Sequence, residues 1–341
     1  MKWTEAYLNQ LLTTPSPALI EDMARLKGDI IILGAGGKMG PTLAVLAKKA
    51  SIAAGDNKRV IAVSTFSDPF AVAVLEENGV ELAKMDLMKP GNLDQLPDAE
   101  NIIYMTGRKF GTDGQEHLTW AMNTWLPSLV AERFKNSRIV VFSSGNIYPM
   151  VSPKDGGTDE STPLDPIGEY AMSTLGRERI FEYGSHTYGT KVCMYRLNYA
   201  VDLRYGVLND IAQTILMGQP VRITAPVFNC LWQGYANEIA IRCLHICESP
   251  ATALNVSGPE TISVKWAATE LGKLLDVEPV IEESEAHNDH ALINNAAKMC
   301  QIFGYPSISI GQMIQWQAQW ILSGGRILGK PTHFDERKGK F

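Results

Sequence analysis

The chain has 341 residues, which at roughly 150 residues per domain allows about two domains, or one large α/β unit with a smaller lobe. Its 45% hydrophobic and 20% charged content fits a globular protein with a sizeable core. The formal net charge of −6 advertises no cationic face, which disfavours a nucleic-acid or anionic-membrane partner.

Residues 1–28 carry acids and lack the apolar run of a signal peptide, and no apolar run in the chain is long enough to span a bilayer. Trp3, Tyr7, Leu8 and Leu11 recur at helical spacing; Ile20, Met23, Ala24 and Leu26 suggest a second short helix after Pro15 and Pro17. Core packing is the expected role of this segment. DIIILG then reads as a buried strand, followed by a glycine-rich turn and a helix over 41–50. RVIAVS is a second strand, 70–78 a helix, VELAKM a third strand and NIIYMTG a fourth. A long helix over 117–134 precedes the strand RIVVFSS. Residues 151–165 form a polar loop, 168–186 a helix and KVCMYRLN a strand. Further on come a helical stretch over 238–247, the strand ATALNVSG, the helix VKWAATELGKLLD, a strand in VEPVIE and a helix over 310–322. Short apolar strands alternating with helices imply a parallel sheet covered on both faces. The expected fold is therefore α/β, a Rossmann-type doubly wound parallel sheet with a smaller C-terminal lobe. The expected division is a helical segment 1–28, a dinucleotide domain 29–200, a lobe over 201–322 with elements returning to the sheet, and an irregular tail 323–341.

The sharpest motif is LGAGGKMG, which sets Gly34, Gly37 and Gly40 at G-x-x-G-x-x-G spacing between a buried strand and a helix. Gly34 permits the tight turn, Gly37 lets the backbone approach a diphosphate, and Gly40 lets the helix pack on the strand. The helix N-terminus then offers N–H groups to the phosphates. The expected cofactor is NAD or NADP. The second strand ends Ser64-Thr65-Phe66, with neither the acid that favours NAD nor the arginine that favours NADP, and Asp68 follows late.

Downstream stand VFSSGNIYP and PIGEYAMSTLGRERIF. With these the chain resembles the extended short-chain dehydrogenase/reductases, the NAD-dependent epimerase/dehydratase family, from about residue 29 to 322. Gly34, Gly37 and Gly40 match its opening motif, and Asp86-Leu87 the pair that holds adenine. Tyr104-Met105-Thr106-Gly107 matches the strand end beside the cofactor, and Asn123 the helix asparagine supporting the site. Ser143-Ser144 through Tyr148 matches the Ser-Ser-x-x-x-Tyr strand end, Tyr170 the catalytic tyrosine, and Arg196-Leu197-Asn198 the segment near the nicotinamide. Asn237-Glu238 and Asn255-Val256-Ser257-Gly258 resemble later landmarks. The resemblance implies a catalytic set of Ser144, Tyr170, Thr174 and Asn123. It implies a dinucleotide on Gly34, Gly37, Lys38, Met39, Gly40, Ser64, Asp86, Leu87, Thr106, Gly107, Tyr170 and Asn198. Substrate is expected against Ser144, Asn146, Arg196 and Trp232.

Two departures narrow the reading. Thr174 stands where the family's Tyr-x-x-x-Lys places lysine, so the cation that lowers the tyrosine pKa is missing. Arg177, nearly two turns on, is expected to lie too far away. Gly145 and Asn146 replace the Asp-Glu pair of the sugar-nucleotide 4,6-dehydratases, which disfavours that elimination. Two functions follow: an NAD(P)-dependent epimerase or oxidoreductase acting on a sugar, sugar acid or sugar nucleotide, or a catalytically weakened dinucleotide sensor of the same fold. Homodimerisation through 117–134 and 168–186 is expected from the resemblance.

The remaining candidates read as structural. Cys193, Cys230, Cys243, Cys247 and Cys300 form no Cys-x-x-Cys pair and suggest reduced, buried thiols in a cytoplasmic protein. His245 between Cys243 and Cys247 points elsewhere on a helix, and His287 and His290 in EESEAHNDH fit no strong metal spacing, so no metal is expected. Trp120, Trp125, Trp316 and Trp320 read as core or interface residues.

Overall fold

The computed structural model describes residues 3–109, 111, 113–283, 289–334 and 336–339. The chain opens with helices α1 (Glu5–Thr13) and α2 (Pro17–Arg25), capped by the Thr4 and Ser16 side chains. Then follow β1 (Ile30–Leu33), α3 (Gly40–Ala53), β2 (Val60–Ser64), α4 (Pro69–Glu77), β3 (Glu81–Lys84) and β4 (Asn101–Tyr104). Next are α5 (Glu116–Trp120), α6 (Leu126–Arg133), β5 (Arg138–Ser144), α7 (Gly168–Tyr188) and β6 (Lys191–Leu197). The rest comprises β7 (Ala200–Val201), α8 (Val207–Leu216), β8 (Val221–Ile223), β9 (Val227–Phe228), β10 (Leu231–Trp232) and α9 (Gln233–Arg242). It ends with β11 (Thr252–Val256), β12 (Ile262–Ser263), α10 (Val264–Leu275), β13 (Ile281–Glu283), α11 (Ala297–Phe303) and α12 (Ile310–Leu322).

Seven strands form one parallel sheet in the order β11-β6-β5-β4-β1-β2-β3, a Rossmann-type doubly wound arrangement. The apolar run of β1 is buried on both faces, as a central parallel strand requires. Ile30 and Ile32 join the core that contains α3 and α9 residues, while Ile31 and Leu33 join the one that contains α6 residues. Each such buried side chain contributes roughly 1.5–3 kcal/mol. The strand order reverses between β1 and β4, so a crevice opens beyond their C-terminal ends.

A second core joins α1, α8, α10 and α12 and forms the lobe. The N-terminal segment serves both cores: Leu8 and Leu12 of α1 lie in the lobe core, and Leu19 and Met23 of α2 in the sheet core. Some elements depart from expectation. The 117–134 helix is interrupted by a π turn over Ala121–Trp125. The strand in VEPVIE is confined to Ile281–Glu283, and the 238–247 helix begins earlier, at Gln233, and ends at Arg242. Helices α8 and α11 were not anticipated.

The tail is irregular but anchored. Leu328 N donates to Arg204 O at 2.9 Å, Thr332 N and Oγ1 donate to Asp210 Oδ2 at 2.7 and 2.5 Å, and Arg337 Nη1 donates to Thr224 O at 2.8 Å. Its backbone at Gly339 then meets Gly168, where a Cβ would sit 2.4 Å from Gly339 O. The five cysteines are free thiols, four of them buried. His290 Nδ1 pairs with Asp289 Oδ1 at 2.7 Å in an exposed loop, whereas His287 lies outside the described residues. Among the described residues, no helix is long and apolar enough to cross a membrane.

Candidate active site

The glycine turn is built by contact. Gly34 has φ +91°, and a Cβ there would lie 2.7 Å from Thr106 N, so the ends of β1 and β4 can close only over glycine. A Cβ at Gly40 would lie 2.3 Å from Ala35 O, which fixes how α3 meets the turn. No side chain caps α3, so its N-terminal amides and positive end face the crevice.

Two cavities meet over this turn and share Gly34, Gly37, Met105 and Gly107. One, of about 290 Å³, is lined by Ser64, Thr65, Asp86, Leu87 and Thr106 together with apolar side chains such as Val63 and Leu126. The other, of about 280 Å³, is lined by Lys38, Met39, Ser144, Asn146, Tyr170 and Asn198. A nicotinamide dinucleotide fits this pair. The first cavity offers apolar walls for adenine and polar groups for a ribose, and Thr106 Oγ1 is buried there with no hydrogen-bond partner among the described residues.

Ser144 sits at the end of β5, where its Oγ donates to Asn146 Oδ1 at 3.0 Å and accepts from Asn146 N at 3.1 Å. Tyr170 projects from the first turn of α7 into the same cavity. Next to Ser144, a Cβ at Gly145 would lie 2.5 Å from Asn294 Oδ1 and 3.1 Å from Asn198 Cβ. Any side chain at position 145, the first position of the dehydratase pair, would therefore have to displace the Asn294 amide.

Five expected residues stand outside both linings: Gly40, which packs α3 against the turn, and Asn123, Thr174, Arg196 and Trp232. Asn123, in the π turn, is fully buried: its Oδ1 accepts from Arg108 N and Arg177 Nη2, and its Nδ2 donates to Ser173 Oγ. It ties α7 to the loop after β4, a use in keeping with π turns at functional sites. Thr174 is fully buried, and its Oγ1 has no partner among the described residues. Arg196 falls on the β6 face opposite Leu197, because strand side chains alternate. There it binds Glu178 with Nη2 to Oε2 at 2.8 Å and donates to the Tyr148 hydroxyl at 2.6 Å. Burial opposes the Arg196 charge, but the bonds to Glu178 outweigh it and raise its pKa. Trp232 packs in the lobe core, 5.3 Å from the Trp316 ring. Asp68 does not reach the crevice wall; it caps α4 by accepting from Phe70 N at 2.9 Å.

Arg177, expected to lie too far from Tyr170 to act on it, nevertheless lines the same cavity. Its guanidinium sits in the cavity wall, donating to Phe142 O at 2.7 Å and Asn123 Oδ1 at 2.8 Å. Sequence reasoning also missed Lys109, Tyr205 and Thr332, all in the same lining. Lys109 lies two residues beyond Gly107 at the C-terminal end of a central strand, a position that could have marked it. Nothing local marks Thr332, which arrives from the tail. Burial lowers the Lys38 pKa to about 7 and that of Lys109 to about 8, and pushes the Tyr205 phenol upward.

Several solved structures share this architecture. The UDP-glucuronic acid 4-epimerase of Bacillus cereus, as a variant in complex with NAD and a fluorinated substrate analogue, superposes with a TM-score of 0.72 at 15% identity, covering 86% of this chain and 99% of that one. The UDP-Glc/GlcNAc 4-epimerase of Campylobacter jejuni gives 0.71 at 17% identity, with 87% and 99% covered. The UDP-glucose 4-epimerase of Thermotoga maritima gives 0.67 at 16%, again with 87% and 99% covered. At these identities the likeness is one of fold. No curated protein sequence matches the chain significantly. The family model of the NAD dependent epimerase/dehydratase family matches residues 30–209, which span the glycine turn, both cavities' sheet-borne walls, Ser144 and Tyr170. The chain thus belongs to the NAD dependent epimerase/dehydratase family, enzymes whose cofactor is NAD or NADP.

Proposed function

We propose that the protein oxidises and reduces a carbinol carbon of a sugar, sugar acid or sugar nucleotide, with epimerisation as the reaction type. The observation that carries this is the meeting of Ser144 and Tyr170 with the glycine turn on one cavity wall. When bound, the dinucleotide supplies the hydride acceptor and donor. Ser144 Oγ holds the substrate hydroxyl by a hydrogen bond, and the Tyr170 oxygen takes its proton as phenolate during oxidation and returns it as phenol during reduction. Asn123 positions α7 by gripping Ser173 and Arg177. The positive charge absent at Thr174 is supplied to the cavity by Lys109 and Arg177. The experiment is to convert a panel of UDP-sugars and sugar acids with dinucleotide-loaded protein, following the products by NMR. A protein that binds no dinucleotide overturns the reading; one that binds it and converts nothing favours the sensor, which the buried Thr174 supports.

We also infer that NAD is preferred over NADP. The adenosine-side cavity has Asp86 as the one charged residue in its described lining, and no cation to receive a 2′-phosphate. NAD is expected to bind at least tenfold more tightly than NADP by calorimetry; equal affinities overturn this.

A homodimer through α5–α6 and α7 is proposed as well. Met172 and Tyr183 are exposed on α7, Tyr183 at 65%, and Trp125 is exposed on the π turn between α5 and α6. The double substitution Met172→Arg and Tyr183→Arg is expected to convert the dimer to monomer by light scattering. A wild-type monomer refutes it.

A further inference from the structure

Tyr170 stands in the first turn of α7, and the start of that helix is weakly fixed by its own residues. Its N-cap, Ile167, is apolar and gives the helix no side-chain cap, and Gly168 has φ +82°, outside the helical region. Trp120 of α5 donates to Glu169, and Ser173 Oγ donates back to Tyr170 O at 3.1 Å. The C-terminal tail reaches the same turn from the lobe. Gly339, with φ +70°, lies so close that a Cβ there would sit 2.8 Å from Gly168 Cα, and a Cβ on Gly168 would sit 2.8 Å from Gly339 Cα. Two backbones in left-handed conformation approach this closely only as glycines.

The tail is seated on the lobe before it arrives there. Thr332 bonds Asp210 of α8 while lining the substrate-side cavity. The Phe334 ring centre lies 6.3 Å from that of Phe228, and Arg337 Nη1 donates to Thr224 O and His290 O at 2.8 and 2.9 Å. A gap of about 30 Å³, the volume of one water, is all that remains between Asn146 and Ile167 and the tail residues Glu336, Arg337 and Gly339. Asn146 in turn lines the substrate-side cavity and bonds Ser144. The tail therefore runs from α8 to the first turn of α7, past the partner of Ser144.

We propose that Gly339 is a positioning residue: the tail, seated on the lobe, fixes the first turn of α7 and with it the reach of the Tyr170 phenol into the cavity. This rests on the acid–base role proposed above for Tyr170. A displacement of about 1 Å at a reacting group can cost roughly 10²-fold in rate, so a backbone contact at Gly168 has leverage on kcat without touching substrate.

The test compares Gly339→Ala with Gly329→Ala, a control in the same tail and the same left-handed conformation, φ +63°, whose added methyl meets nothing within 4 Å. The first readout is fluorine NMR of protein carrying fluorotyrosine, with the Tyr170 signal identified by its loss in Tyr170→Phe; it needs no substrate. Gly339→Ala is expected to shift or broaden that signal, and Gly329→Ala to leave it at its wild-type position. The second readout is kcat on NAD-saturated protein with UDP-glucuronate or UDP-glucose, whichever the wild type turns over faster. Gly339→Ala should lower kcat roughly tenfold or more while KM and NAD affinity stay within about threefold, because Thr332 and the glycine turn are untouched. Arg337→Met, which loosens the tail by removing its bonds to Thr224 O and His290 O, should act in the same direction on both readouts. A Tyr170 signal that stays in place in Gly339→Ala overturns the proposal. So does a kcat within about twofold of wild type, or a Gly329→Ala that moves both readouts equally. A Tyr170→Phe variant that keeps its kcat would instead sink the functional reading, and in a wild type that turns over neither sugar the fluorine signal alone decides whether the tail sets the tyrosine.

Discussion

Tyr170→Phe is expected to lower kcat by about 10²–10⁴-fold, the range for losing a general acid–base group. NAD affinity should change by less than about threefold, because the ring and its place on α7 remain. The substitution removes one oxygen at the cavity wall. In the proposed mechanism Ser144 still binds the substrate hydroxyl, so KM should move little while the proton has no acceptor. The measurement is initial rate against substrate concentration for the best substrate of the panel, with NAD binding followed in parallel. A variant that keeps more than half of the parental kcat would remove Tyr170 from the mechanism. Loss of NAD binding would show instead that the phenol holds the cofactor.

Arg196→Met should destabilise the protein by about 3–5 kcal/mol, because it leaves a buried carboxylate without its cation. The Glu178 side chain is 3% exposed, and it binds Arg196 through both oxygens, at 3.0 and 2.8 Å. Ser143 on β5 donates to the same carboxylate, and the Tyr148 hydroxyl, itself bound to Arg196, donates to Asn255 on β11. The pair thus fastens α7 to β5, β6 and β11 behind Tyr170. Adding Glu178→Leu to Arg196→Met should restore most of the loss, since an apolar pair carries no desolvation cost. Thermal denaturation followed by circular dichroism provides the check, with a fall of roughly 6 °C or more for the single variant. A single variant within about 1 kcal/mol of the parent would show that water reaches Glu178.

The sheet was legible because central parallel strands are apolar runs: IIIL, VIAVS and RIVVFSS each announce themselves without reference to the rest of the chain. The glycine turn, Ser144 and Tyr170 were legible through spacing on adjacent elements. Arg196 was misplaced for a physical reason. Its neighbour Leu197 lines the cavity, and alternation sends position 196 to the face covered by α7. Trp232 was misplaced because nearness to the lobe in sequence does not reveal the cluster with Trp316 that buries it. Helix α8 shows apolar residues at Val207, Leu208, Ile211, Ala212 and Ile215, a helical pattern overlooked because Gly206 precedes it without a polar cap. Arg177 reaches the cavity lining through acceptors on other elements, Phe142 O and Asn123 Oδ1, which helical spacing does not show. Lys109 and Thr332 come together only in three dimensions, more than 200 residues apart in the chain.

That separation in the chain has a temporal meaning. Translation delivers the glycine turn first and position 332 among the last of the wall residues, after every strand of the parallel sheet has been made. The wall that Thr332 contributes therefore closes only once the tail has been made and has docked on Asp210.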